Sequence, residues 1–313
     1  PALRGSLACG NMDLSEVLRM SSRRQLVVLS VALSLAVSAC SGLRLSPVTA
    51  EPTSKWIPGK FIWHDLITHD VSAVKLFYAG VFGWKFEDLP GTERYTVIRH
   101  DGEMIGGIAF SDRKIDGKPI SQWVSMISVP SVDRAVGLIR QGGGKVYAGP
   151  RDIADRGRLA IVGDPEGAVF GLVRTTGGDP PDRDARVGDW LWNELWTDDQ
   201  KGAAELYGTL AGFELDTHER LAGKPYTVFR RDGEPRAGLL PNPFPEEVEP
   251  LWLPYVRVAN PAAVVAKVEG LGGQVLLKPA PEHRNGPVAL IADPAGAEVA
   301  IQKWPIEGTG DDD

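Results

Sequence analysis

Apolar residues crowd the stretch from Phe61 to Thr68 and then recur at helical spacing through Ala73, Val74, Leu76, Phe77 and Val81. The first pattern predicts a strand, and the second a helix with one face on a sheet, opened by Asp70 as its cap. Three short strands are predicted next, around Lys85-Phe86, from Tyr95 to Arg99 and from Met104 to Phe110. The last two meet at Asp101-Gly102, a strong hairpin signal. This unit reads βαβββ. A second unit of the same kind starts at Gln122 to Val129, with Ser131 capping a helix that stops at Gly142-Gly143-Gly144. Its strands fall near Lys145-Val146-Tyr147, Arg158 to Val162 and Val169 to Arg174, the last pair turning through Asp164-Pro165-Glu166-Gly167.

The whole pattern then recurs. Trp63-His64-Asp65-Leu66 returns as Trp192-Asn193-Glu194-Leu195, and Tyr78 as Tyr207. Gly83-Trp84 answers to Gly212-Phe213, Tyr95-Thr96-Val97 to Tyr226-Thr227-Val228, and Asp164-Pro165 to Asp293-Pro294, at offsets of 129 to 131 residues. Landmarks in one order at one spacing are the signature of an internal duplication. Asp199 and Asn260 cap the helices of the third and fourth units, with Pro261 at the first position of the last helix. The expected fold class is therefore α+β, with four βαβββ modules in two tandem domains at 60–175 and 189–304. Residues 176–188, rich in Gly, Pro and Asp, read as the linker, and 305–313 as an acidic tail.

Composition narrows the function. The formal charge is −7, and residues 1–39 carry four arginines against Asp13 and Glu16, so the remainder is −9. An acidic chain without a basic stripe argues against nucleic-acid binding. Both cysteines, Cys9 and Cys40, precede the first repeat, which leaves no thiol chemistry or disulfide framework for the folded body.

Met20 reads as the start of translation, followed by Arg23-Arg24 and an apolar run from Leu26 to Ala39. This is the layout of a signal peptide, too short for a stable membrane span. Val37-Ser38-Ala39-Cys40 resembles the bacterial lipobox, which implies cleavage before Cys40, its lipidation, and attachment of the exported protein to the cell envelope. In a Gram-negative host that means the outer membrane or its periplasmic face. Residues 40–59, with Pro47, Pro52 and Pro58, read as a spacer holding the body off the membrane.

Tandem βαβββ units with an Asp cap, a Phe77-Tyr78 helix, a Gly83-Trp84 exit and an Asp-Pro-x-Gly turn resemble the vicinal oxygen chelate superfamily. That superfamily includes lactoylglutathione lyase, bleomycin-resistance proteins and extradiol dioxygenases. The resemblance covers Phe61 to Trp304 and implies two cupped mixed sheets. In metal-using members a His or Gln from the first strand of each module and a Glu from the last strand hold a divalent ion. Alignment on Asp70 and Phe77-Tyr78 puts Trp63, Gln122 or its neighbour Trp123, and Gly171 at these positions. In the second repeat they are Trp192, Leu251 or Trp252, and Ala300. One amide cannot hold a divalent ion, so no metal cofactor is expected.

Trp63, Trp123, Trp192 and Trp252 open the four modules. Period two places Trp63 beside Asp65 and Trp192 beside Glu194 and Trp196. On a concave face these residues would line cups suited to a flat, partly apolar small molecule with a donor group. His64 and Asp65 alternate to opposite faces, and the five histidines read as surface residues. The expectation is a protein that sequesters a small aromatic or amphipathic ligand without metal. A metal-dependent lyase, isomerase or dioxygenase and a structural interaction module stand as alternatives, and a homodimer is left open.

Overall fold

A computed structural model describes residues 45–305, apart from 91–93, 116, 222–223, 282 and 284–286. The expected signal peptide, Cys40 and most of the acidic tail lie outside the described residues.

The first repeat contains β1 (Phe61–Thr68), α1 (Val71–Phe82), β2 (Lys85–Asp88), β3 (Tyr95–His100) and β4 (Glu103–Phe110), then β5 (Gln122–Ser128), α2 (Val132–Gln141), β6 (Lys145–Ile153), β7 (Gly157–Gly163) and β8 (Val169–Thr175). The second contains β9 (Trp190–Thr197), α3 (Gln200–Ala211), β10 (Glu214–Asp216), β11 (Thr227–Arg231) and β12 (Glu234–Pro241), then β13 (Leu251–Arg257), α4 (Pro261–Val268), β14 (Gln274–Leu277), β15 (Val288–Ala292) and β16 (Glu298–Gln302). Each helix starts where its cap directs. The side chains of Asp70, Ser131, Asp199 and Asn260 accept from the backbone N–H of Ala73, Arg134, Gly202 and Ala263.

Each repeat forms one eight-stranded sheet, in the orders β2-β3-β4-β1-β5-β8-β7-β6 and β10-β11-β12-β9-β13-β16-β15-β14. The two modules of a repeat meet at their first strands, which run antiparallel as β1 against β5 and β9 against β13. Modules therefore pair within a repeat, a point the sequence leaves open.

The repeats pack through the faces that carry the helices, and they do so crosswise. α1 lies against α4, and α2 against α3. One buried core joins Val74, Phe77 and Tyr78 to Val256, Val264 and Ile291, and a second joins Val136 and Phe170 to Tyr207 and Phe229. Two polar relays cross with them. Trp123 donates to the Tyr78 hydroxyl at 2.9 Å, which donates to Asp293 at 3.2 Å. Trp252 donates to the Tyr207 hydroxyl at 2.8 Å, which donates to Asp164 at 3.0 Å. The other oxygen of each aspartate receives two backbone N–H groups of its own turn. The Phe-Tyr helix and the Asp-Pro turn are thus two halves of a clasp between repeats.

The stretch expected as a spacer is docked from Leu45 onward. Leu45 and Val48 are buried on the first sheet, and Asp179 of the expected linker accepts from the Ile57 amide and the Ser128 hydroxyl. His64 and His100, expected at the surface, are also buried. Among the described residues, no helix is long and apolar enough to cross a membrane.

Candidate functional site

Strand alternation sends Trp63, Asp65 and Ile67 to the concave face of the first sheet, with Val124 and Met126 of β5 beside them. Trp192, Glu194 and Trp196 take the same places in the second, beside Leu253 and Tyr255. Trp123 and Trp252 do not belong to either cup. They point to the opposite face, Trp123 against Tyr78, Trp84 and Trp190, and Trp252 against Phe61, Tyr207 and Phe229. The Cα partner of Trp123 is Leu66, between the cup-facing residues Asp65 and Ile67, and that one step reverses its direction.

Each cup is built around a buried carboxylate that fixes a tyrosine hydroxyl and, directly or through it, an indole. In the first, Trp63 Nε1 donates to Asp65 Oδ1 at 2.8 Å, and the Tyr95 hydroxyl donates to the same oxygen at 2.6 Å. Burial raises the Asp65 carboxyl, an effect opposed by the charge of Arg156 and the Tyr95 bond. Burial and then the Asp65 charge push the Tyr95 hydroxyl far up, so it stays protonated and donates. In the second, Trp192 Nε1 donates to the Tyr226 hydroxyl at 2.8 Å, while Tyr226 and Tyr255 donate to the two oxygens of Glu194 at 2.5 Å each. Close approach makes this possible: a Cβ on Gly107 or Gly238 would lie 2.0 or 2.1 Å from the hydroxyl oxygen of Tyr95 or Tyr226. Tyr95, Tyr226 and Tyr255 escape the sequence reading as site residues. The repeated Tyr-Thr-Val was the available signal, because it sets a tyrosine at the same position of both sheets.

The cups differ in what covers them. Over the first lie Leu45 and Val48, in one buried cluster with Trp63, Tyr95 and Met126. Arg156, on the turn between β6 and β7, is wholly buried, lies 4.0 Å over the Trp63 ring and donates from Nε to the Ser46 carbonyl at 2.7 Å. Burying a Leu and a Val is worth about 3–6 kcal/mol together. Ordering four backbone residues costs about 1–2 kcal/mol each, which matches or exceeds that gain, so apolar burial alone does not hold the strap and the Arg156 bond to Ser46 contributes.

Among the described residues, no such strap covers the second cup. Trp192 and Tyr226 are only half buried and border a groove of about 1400 Å³, with Leu221, Val228, Gln302 and Trp304 around them. Trp196 sits deeper, buried beside Phe244 of the loop after β12, and Glu194 is wholly buried behind the tyrosines. The surface offered to a ligand is therefore the indole of Trp192 and the ring of Tyr226. Glu194 fixes that hydroxyl from behind.

The same groove runs between the repeats to His64 and Asn193. These are equivalent positions facing each other, with Nε2 of His64 3.3 Å from Asn193 Oδ1 and its ring stacked 4.0 Å from Trp190. Burial lowers the imidazole to about 3, so it is neutral. His64 and Asp65 do lie on opposite faces.

No family model matches the chain. CFP32 of Mycobacterium bovis, provisionally named a glyoxylase, is 33% identical over 254 residues, covering 80% of this chain and 97% of that protein. The chain belongs to the vicinal oxygen chelate superfamily. The anthracycline biosynthesis protein DnrV of Streptomyces peucetius is 29% identical over 265 residues, covering 79% of this chain and 94% of that one. Among solved structures, the Mn(II)-bound glyoxalase from Novosphingobium aromaticivorans superposes with a TM-score of 0.54 at 15% identity, covering 79% and 82% of the two chains. Homoprotocatechuate 2,3-dioxygenase from Brevibacterium fuscum gives 0.53 at 13% identity, covering 80% and 82%. Both share the superfamily fold.

The donor set can be tested against the ion that metal-using members of the superfamily hold. Matching modules on their helix caps, Asp70 with Ser131 and Asp199 with Asn260, makes Val124 and Leu253 the counterparts of Trp63 and Trp192. Gln122, expected at the second position, instead pairs with Ile67 at the end of β5. The positions then hold Trp63, Val124 and Gly171 in one repeat and Trp192, Leu253 and Ala300 in the other. None carries a donor for a divalent cation. Among the described residues, no three His, Cys, Asp or Glu side chains come together. These residues do not fit the ion.

Proposed function

We propose that this member of the vicinal oxygen chelate superfamily sequesters a small, flat aromatic ligand in its second cup, without a metal, while anchored to the cell envelope through Cys40. The observation that carries the binding role is the half-exposed Trp192 and Tyr226 at the groove, their polar atoms pre-set by Glu194. Rings held in place lose little freedom on stacking a planar guest. The anthracycline relative supports a polycyclic aromatic ligand, and anthraquinone-2-carboxylate is a soluble probe of that class.

Titration with this probe should quench the intrinsic tryptophan fluorescence. Trp192→Ala should weaken binding at least tenfold, about 1.4 kcal/mol or more, and EDTA should change nothing. Equal affinity in the variant would remove Trp192 from the site, and EDTA-sensitive binding or metal-dependent turnover would favour an enzyme. For the anchor, Cys40→Ala should move the protein from the membrane fraction to the soluble fraction. An unchanged distribution would refute lipidation.

A further inference from the structure

The first cup has the same indole, carboxylate and tyrosine as the second, yet it is shut by the chain's own residues Leu45 to Val48. Two features of the closure concern ligand chemistry. Arg156 donates from Nε to the Ser46 carbonyl and from Nη2 to the Tyr95 hydroxyl at 3.4 Å, but its Nη1 has no hydrogen-bond partner although the residue is wholly buried. A buried guanidinium with an unused donor is a costly arrangement that an incoming acceptor would relieve. The strap's occupancy also follows the pattern of a guest, with two apolar side chains on the indole side and one carbonyl oxygen on the guanidinium.

We propose that the strap is a tethered stand-in for a ligand, and that the first cup is a second binding site, selective for aromatic carboxylates, which opens when Leu45 and Val48 leave. A carboxylate can take the Nη1 and Nη2 donors of Arg156 together, end-on, where the Ser46 carbonyl takes only Nε, and its ring would replace Leu45 and Val48 beside Trp63. Val48 borders the groove between the repeats, so the strap has open space on one side into which it can lift. The aromatic carboxylate competes with the strap, and Arg156 sets the preference for charge. The proposal rests on the reading that the concave faces receive ligands, and it does not require binding at Trp192.

The test compares naphthalene-2-carboxylate with naphthalene-2-carboxamide by calorimetric titration. The proteins are the wild type, Leu45→Gly/Val48→Gly, and that double variant carrying Arg156→Gln. The double variant should bind one more equivalent of the carboxylate than the wild type, whatever number the wild type binds, and prefer it to the amide at least tenfold. Arg156→Gln should abolish that preference. No additional equivalent in a double variant with native near-ultraviolet dichroism, or one indifferent to charge and to Arg156, would overturn the proposal. Should the double variant not fold, methyl NMR on the wild type decides. The Leu45 and Val48 methyl resonances, packed in one cluster with Trp63 and Tyr95, should move toward random-coil positions as carboxylate is added, and no change up to its solubility limit would refute displacement. Loss of wild-type binding in Trp192→Ala reports on the second cup alone, so the two readings fail separately.

Discussion

Trp84→Ala is expected to destabilise the protein by about 4 kcal/mol, out of the 5–15 kcal/mol by which domains are commonly stable. Trp84 is buried at the exit of α1, within 6.0 Å, centroid to centroid, of Tyr78, Phe82, Trp123 and Trp190. Its Nε1 donates to the Gly188 carbonyl at 2.7 Å. Truncation opens a cavity among four rings and strands that carbonyl without its donor, the two routes by which single changes become severe. Because Trp190 and Gly188 enter from the second repeat and the linker, the loss should lower one shared unfolding transition. Leu76→Ala, at a position 72% exposed on the same helix, is the control and should stay within about 0.5 kcal/mol. A drop in guanidinium midpoint no larger than that of Leu76→Ala would show that the aromatic cluster does not hold the repeats together.

His64→Asn should make the protein resistant to acid. Burial takes the His64 imidazole from 6.5 to about 3, so the unfolded chain binds a proton below pH 6.5 that the folded one refuses. Stability from the neutral ring is complete above pH 6.5 and falls by about 1.4 kcal/mol per pH unit as the pH drops toward 3, or about 3 kcal/mol by pH 4. Asp164 and Asp293 pull the other way. Burial raises each carboxyl to about 6, so the folded state takes up their protons first and gains between pH 6 and 4. Their contribution is common to both proteins and cancels in the comparison. Asn at 64 faces Asn193 and does not titrate, so any fixed loss of stacking on Trp190 is independent of pH. Parallel stability curves from pH 7.5 to 4 would mean that the ring is protonated in place.

Local chemistry made the architecture readable. Four caps, the hairpins at Asp101-Gly102 and Asp232-Gly233 and a repeated order of landmarks predict the modules, and caps and hairpins are where the spacing puts them. The site was less legible because it depends on parity. Counting from Trp63 to Trp123 as equivalent openings misjudges the register by one position, whereas counting from Asp70 to Ser131 pairs Trp63 with Val124 and turns Trp123 to the helix side. The same slip misplaces Trp252. Arg156 stands alone on a turn with no periodicity to reveal where it aims. Leu45 and Val48 lie among prolines and serines whose composition reads as coil, and two apolar side chains are too few to alter that average.

The clasp between repeats has a consequence for assembly. A lone repeat folded this way would carry on its helical side a self-complementary patch, with a Tyr waiting for the partner's Asp, and would pair about a twofold axis passing near residue 64. Duplication has joined two such partners covalently. What would be an equilibrium between subunits, weakening on dilution, becomes an internal contact that dilution cannot touch. The twofold can also be broken one residue at a time, and His64 opposite Asn193, or Leu45 and Val48 over one cup alone among the described residues, is the kind of inequality that identical subunits could not sustain.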